Sequence, residues 1–237
     1  MNYLPNQEIL INIGVKMRVL VFGASGALGS AICREFKEVG HEVVTASRTV
    51  GAGDLTVSET GDFELSDITN FDACVWAQGS NSNDTVASAK DFNLMMQANV
   101  GFIVNSLSKL INRKLLSNKC RIVIVSSVWQ EFSRENKFSY TVSKAALEGL
   151  VNSVVADYSK EGISINAVLP GVVDTPMTRK NLDAEQVANI TNQTPTRNLV
   201  SPTNVAKAVS WLASEHSEGV NGQFITIDNG WSKIRAI

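Results

Sequence analysis

Met17-Arg18-Val19-Leu20-Val21-Phe22-Gly23-Ala24-Ser25-Gly26-Ala27-Leu28-Gly29 is the stretch that decides the fold. The largely apolar run Met17–Phe22 reads as a buried parallel strand. A glycine-rich turn follows. Helical spacing then runs from Leu28 to Val39 and is closed by Gly40. Glycines between a strand and a helix permit a tight turn and let backbone amides approach a pyrophosphate at the helix N-terminus. Gly23, Ser25, Gly26, Ala27, Leu28 and Gly29 are therefore candidate dinucleotide-binding residues. The other reading is a tight turn with no ligand.

Outward from that unit, the pattern repeats. Strands are predicted at His41–Ala46, Ala73–Ala77, Arg121–Val125, Ile163–Leu169 and Gln223–Ile227. Helical segments fall near Ala87–Leu116, Ser139–Lys160 and Thr203–Ala213. This alternation predicts an α/β protein, a Rossmann-like doubly wound parallel sheet in a single domain over residues 17–237. Residues 1–16 read as an N-terminal tail or an upstream start, with Met17 the alternative initiator. The run between Arg48 and Trp76 is broken by Gly51, Gly53 and Gly61, so that crossover should be abbreviated.

The formal net charge is −2, with no cluster of lysine and arginine. Nucleic-acid or anionic-membrane binding therefore has no electrostatic footing. Cys33, Cys74 and Cys120 lie far apart in apolar segments and read as core thiols, and no metal site is expected. His41 and His216 read as isolated surface residues. Without a signal peptide or a membrane-length apolar run, a cytoplasmic location is the default expectation.

The second strand ends in Ala46-Ser47-Arg48. An NAD-type site needs a carboxylate about 20 residues after the glycines for the ribose hydroxyl. Ser47 and Arg48 stand there instead. A guanidinium pairs with a 2′-phosphate, which favours NADP(H) over NAD(H). Tyr140 and Lys144 are four residues apart and share one helix face. An ammonium beside a phenol favours the phenolate and should lower its pKa toward the working range.

Together these motifs resemble the classical short-chain dehydrogenase/reductase family over residues 17 to about 231. The family's middle glycine falls on Ala27, with Gly26 beside it. Asp54-Leu55 resembles the acidic dipeptide near the adenine. Of the usual Asn-Asn-Ala-Gly after strand four, Trp76-Ala77-Gln78-Gly79 keeps only Gly79. Asn99, Ser127, Tyr140 and Lys144 match the catalytic set, and Pro170, Gly171, Val173 and Thr175 match the loop that cradles the nicotinamide. The glycine turn and Asp174–Lys180 are also similar to the dihydropteridine reductase branch.

The resemblance implies hydride transfer between a nicotinamide and a carbonyl or alcohol, in the 3-oxoacyl, ketone or sugar class. Tyr140 would be the general acid, Ser127 would hold the reacting oxygen, Lys144 would bind the ribose, and Asn99 would order a water relaying protons to Lys144. A dihydropteridine reductase, or a catalytically silent dinucleotide sensor, remains the alternative. The family usually assembles as homodimers or homotetramers. Trp129 and Phe132 should face the substrate pocket or else serve as packing or interface residues, with Met177–Ile190 as a lid and Arg179 and Lys180 as either anion-attracting or solvated charges.

Overall fold

The computed structural model describes residues 16–64 and 70–234. Most of the segment expected as a tail therefore lies outside the described residues. The chain alternates strand and helix: β1 (Arg18–Phe22), α1 (Ala27–Glu38), β2 (Glu42–Ser47), β3 (Leu55–Thr56) and β4 (Phe71–Trp76). Then come α2 (Phe92–Met96), a π turn at Gln97–Gly101, α3 (Phe102–Asn112), β5 (Leu116–Val125) and α4 (Phe138–Tyr158). β6 (Ser164–Pro170), α5 (Pro176–Asn181), α6 (Ala184–Gln193), α7 (Pro202–Ala213) and β7 (Phe224–Ile227) complete it. The strands form one seven-stranded sheet in the order β3-β2-β1-β4-β5-β6-β7. All its pairings are parallel. The order reverses direction between β1 and β4, which opens a crevice at the carboxyl ends of the strands.

Alternate strand residues feed two cores, as a sheet covered on both faces requires. On one face Leu20, Phe22, Cys74, Trp76, Ile122 and Ile124 pack against α3 and α4. On the other, Val19, Val21, Val75 and Val123 pack with residues of α1 and α7. Trp76 stands where the resemblance leads one to expect an asparagine, and it is fully buried. Its ring stacks on Phe22 at 5.0 Å between centroids, and Nε1 donates to Ser106 Oγ at 2.9 Å.

The expected abbreviated crossover includes residues 65–69, which lie outside the described residues. Among the described residues between Arg48 and Phe71 there is no helix. Val57 and Phe63 form an antiparallel bridge there, and Phe63 covers Phe22 at 5.7 Å between ring centroids. Lys109 of α3 pairs with Asp62 at 2.5 Å and Glu64 at 3.2 Å, tying this loop to the body.

Two boundaries differ from expectation for physical reasons. The helix expected from Ala87 begins at Phe92, because Ala89 adopts φ +37°, outside the helical region. It ends at Asn112, and Leu116 belongs to β5. The first half of β5 includes exposed Asn118 and Lys119, so it carries no continuous apolar signal. Residues 175–199 leave the body as an excursion that carries α5 and α6. Its ends are clamped together: Val200 N donates to Val172 O at 3.0 Å, and Asp174 N donates to Val200 O at 2.9 Å.

Candidate active site

The glycine turn is built as its sequence predicts. Gly23 has φ +77°, and a Cβ there would stand 2.6 Å from Gln78 N. A Cβ on Gly29 would overlap the Gly23 carbonyl oxygen, so only glycine lets α1 approach this closely. Gly26 is the N-cap of α1, and Ala27 and Leu28 open the helix. Ser25 Oγ meets Ser47 Oγ at 3.0 Å, joining the turn to the end of β2. Ser47 Oγ also accepts from Thr49 N at 3.2 Å. Ser47 is therefore committed to the protein, while Arg48 beside it is exposed.

Asp54 of the acidic dipeptide precedes β3. The β2–β3 register sets Leu55 opposite Ala46, which leaves Asp54 below the carboxyl edge. Its carboxylate accepts from Thr45 N at 2.8 Å and Thr45 Oγ1 at 2.7 Å, and these bonds hold its pKa below the usual value. Asp54 pins β3 to β2, and Leu55, the first residue of β3, is half-buried opposite Ala46.

The crevice itself is a cavity of about 620 Å³. Leu28, Gly79, Ser127, Tyr140, Lys144 and Thr175 line it, together with Pro170, Gly171 and Val173. Ser126 also lines it, but its hydroxyl is engaged with Gln130 Oε1 at 2.7 Å. Ser127 follows β5 and caps a short 3₁₀ turn by accepting from Trp129 N at 3.3 Å. Tyr140 and Lys144 lie on the first turns of α4.

The electrostatics of this pair differ from the sequence expectation. The ammonium lies 5.8 Å from the Tyr140 ring centroid and donates to Val125 O at 3.2 Å. Burial raises the Tyr140 pKa, and the Ser127 hydroxyl only partly opposes that rise. Desolvation draws Lys144 down to about 8. Spacing gave the neighbourhood correctly, but removal of water is the largest influence on the phenol and raises its pKa.

Asn99 sits in the π turn, outside the lining of the cavity. Its Oδ1 accepts from Ser80 N at 2.8 Å, and its Nδ2 donates to Ser80 O at 3.0 Å and Ser143 Oγ at 2.9 Å. The side chain thus fixes the loop after β4 to α4, and Gly79 of that loop comes close to both Asn99 and Lys144.

A dinucleotide fits this cradle. The glycine turn leaves room at the α1 N-terminus. Gln78 lines the cavity with Nε2 and Oε1 both buried and without a partner among the described residues. Orphaned buried amide atoms at a cleft call for a polar ligand.

Trp129 and Phe132 do line the cavity, and so do Met177, Leu182 and Ile190 of the excursion. Arg179 is paired with Asp174 at 2.8 Å and 2.9 Å, which removes it as a free anion attractor. His41 is not a plain surface residue: its Nδ1 accepts from Met17 N at 3.3 Å, and partial burial lowers its pKa. All three cysteines are buried and free.

Sequence reading missed Trp231 and Lys137. Trp231 comes from beyond β7 and meets Trp129 and Phe132 at 5.9 Å and 5.7 Å between ring centroids. Lys137 lines the cavity three residues before Tyr140, a helical spacing that could have singled it out. No described helix is long and apolar enough to cross a membrane.

Residues 63–232 match the family model described as Enoyl-(Acyl carrier protein) reductase. The chain belongs to the classical short-chain dehydrogenase/reductase family. It is an NAD(P)-dependent oxidoreductase acting on CH–OH and C=O groups. Among its relatives, the 3-oxoacyl-[acyl-carrier-protein] reductase FabG of Rickettsia typhi is 30% identical over 89% of this chain and 95% of its own. The dehydrogenase/reductase SDR family member 6 of Rattus norvegicus is 31% identical over 76% of each chain. The fold is also that of the Thermoplasma acidophilum aldohexose dehydrogenase, at TM-score 0.80 and 24% identity over 94% and 96% of the two chains. A gluconate 5-dehydrogenase from Burkholderia cenocepacia, solved with NADP and tartrate, aligns at TM-score 0.81 and 20% identity over 92% and 96%.

Proposed function

We propose that this protein is an NADPH-dependent carbonyl reductase. The carrying observation is convergence: Ser127, Tyr140 and Lys144 line one cavity with Gly79 and the Pro170–Gly171 loop, at the carboxyl ends of β4, β5 and β6. The bound nicotinamide supplies or accepts the hydride. Tyr140 donates a proton to the carbonyl oxygen in the reductive direction, and its raised pKa keeps the phenol protonated for that task. Ser127 hydrogen-bonds the same oxygen and holds it in reach. Lys144 binds the nicotinamide ribose. Asn99 serves as a positioning residue through Ser80 and Ser143.

NADP(H) is preferred because Arg48 is an exposed cation at the end of β2 and the adjoining residues Ala46, Ser47 and Thr49 include no acid. The glycine turn would hold the pyrophosphate, with the Ser25–Ser47 contact at 3.0 Å fixing the turn to the end of β2. The names of the relatives above favour a 3-oxoacyl substrate, with a sugar as the second class. Assembly through the outer faces of α3 and α4, as a homodimer or homotetramer in the cytoplasm, accords with this reading. The test is NADPH oxidation across a carbonyl panel that includes 3-oxoacyl thioesters, sugar ketones and quinonoid dihydropterin. Tight dinucleotide binding with no oxidation of NADPH by any of these would favour a silent sensor instead.

A further inference from the structure

The charged side chains that line the cavity are all cations: Arg134, Lys137 and Lys144. No aspartate or glutamate lines it among the described residues. Lys144 has an assigned task, whereas Lys137 has none. Its side chain is buried, only 4% of the residue being exposed, yet it reaches the cavity. Nζ donates to Asn81 Oδ1 at 2.6 Å and to Ser82 O at 3.0 Å, two neutral acceptors for a group with three N–H bonds. No carboxylate lies within ion-pair distance of it among the described residues. Asp84 is near enough to act on it electrostatically, but its oxygens accept from Ser139 N at 2.9 Å, Ser139 Oγ at 2.5 Å and Asp91 N at 3.4 Å.

We propose that Lys137 seats a substrate carboxylate, so that the cleft takes small oxo acids, with the carbonyl on Tyr140 and Ser127 and the anion on Lys137. This rests on the reading of the cleft as a hydride-transfer site. Lys137 Nζ lies 5.5 Å from the Tyr140 ring centroid, so an anion on it sits a few bonds from a carbonyl held at the phenol. Arg134 at the rim adds a second positive charge, and it opposes the charging of Lys137 while the cavity holds no anion. A buried ammonium without an anionic partner is unfavourable, and burial draws it down to about 8. A bound carboxylate relieves that cost. Trp129, Phe132 and Trp231 supply an apolar wall for the remaining carbons.

The test uses three oxo acids of different spacing, 2-oxobutanoate, acetoacetate and 4-oxopentanoate, each against its methyl ester. Trp129 and Trp231 report binding by fluorescence, measured with and without NADP⁺. At least one acid should bind about tenfold to a hundredfold tighter than its ester, the range for a charge-assisted hydrogen bond. Lys137→Met should erase that ratio, and Lys137→Arg should retain part of it. Circular dichroism confirms that both variants fold. Equal binding of acids and esters, no binding of any acid, or a ratio that survives Lys137→Met would overturn the proposal. Preference for neutral acyl thioesters over free acids would overturn it too. NADPH oxidation separates the two readings. Acid-selective binding without hydride transfer keeps the anion seat and removes the reductase, whereas ketone reduction without acid selectivity does the reverse.

Discussion

The rate of carbonyl reduction should break downward as pH rises, and the structure sets where. In the proposed mechanism Lys144 works as a cation and Tyr140 as a neutral phenol. Both are in their working forms at low pH, so activity is highest there and is lost on deprotonation. Burial raises the Tyr140 pKa, which moves loss of the phenol proton to still higher pH. Desolvation draws Lys144 down to about 8, so the lysine limits the profile. One pH unit below its pKa an amine is about nine-tenths charged and one unit above about one-tenth, a change of roughly tenfold across two units. The assay is kcat/KM for a neutral ketone at saturating NADPH, from pH 6 upward, which reports groups in the cofactor complex. The phosphates of the bound dinucleotide favour the ammonium, so the break should fall at or above about 8. A neutral ketone leaves Lys137 idle, and the profile should persist in Lys137→Met although that residue also titrates near 8. Activity that rises through pH 8 would show that a deprotonated group is the working form and refute this assignment.

Three further outcomes are expected. Tyr140→Phe removes only the hydroxyl, so kcat should fall by about 10²–10⁴ while NADPH affinity holds; near-normal turnover would take Tyr140 out of the mechanism. Arg48→Ala should weaken NADPH by roughly tenfold to a hundredfold and leave NADH nearly unaffected, read as the ratio of the two kcat/KM values. A wild type that prefers NADH would assign Arg48 to solvent. Asn99→Ala strips partners from Ser80 N, Ser80 O and Ser143 Oγ, which should cost roughly 1–3 kcal/mol and lower the melting temperature by several degrees. An unchanged melting temperature would show that water replaces the side chain there.

The sheet and the glycine turn were legible because their signals are local: apolar runs for β1, β4 and β6, and glycine at Gly23 and Gly29. Tyr140, Lys144 and Ser127 were legible for the same reason, since each lies at or near the carboxyl end of such a strand or on the following helix. What escaped depended on distance in the chain or on solvent. Trp231 reaches the cavity only because β7 joins the sheet beside β6. Asp54 matched a motif, but strand register, which the sequence does not display, set it against Thr45. Helix spacing placed Lys144 near Tyr140 and said nothing of the desolvation that reverses the expected pKa shift. The polar half of β5 was missed because it is held by backbone pairing with little apolar burial.

The clamp at Val172, Asp174 and Val200 bears on how such a protein can change its trade. The excursion it closes contributes Met177, Leu182 and Ile190 to the substrate cavity, but β6 and α7 continue undisturbed on either side of it. A segment whose two ends already meet can lengthen, shorten or be replaced at little cost in loop entropy. On the proposed reading, selectivity is thereby housed in a detachable cassette, while Ser127, Tyr140 and Lys144 stay on the permanent frame. Grafting a different excursion between Asp174 and Val200 is the natural route by which one hydride-transfer site can be set to new carbon skeletons.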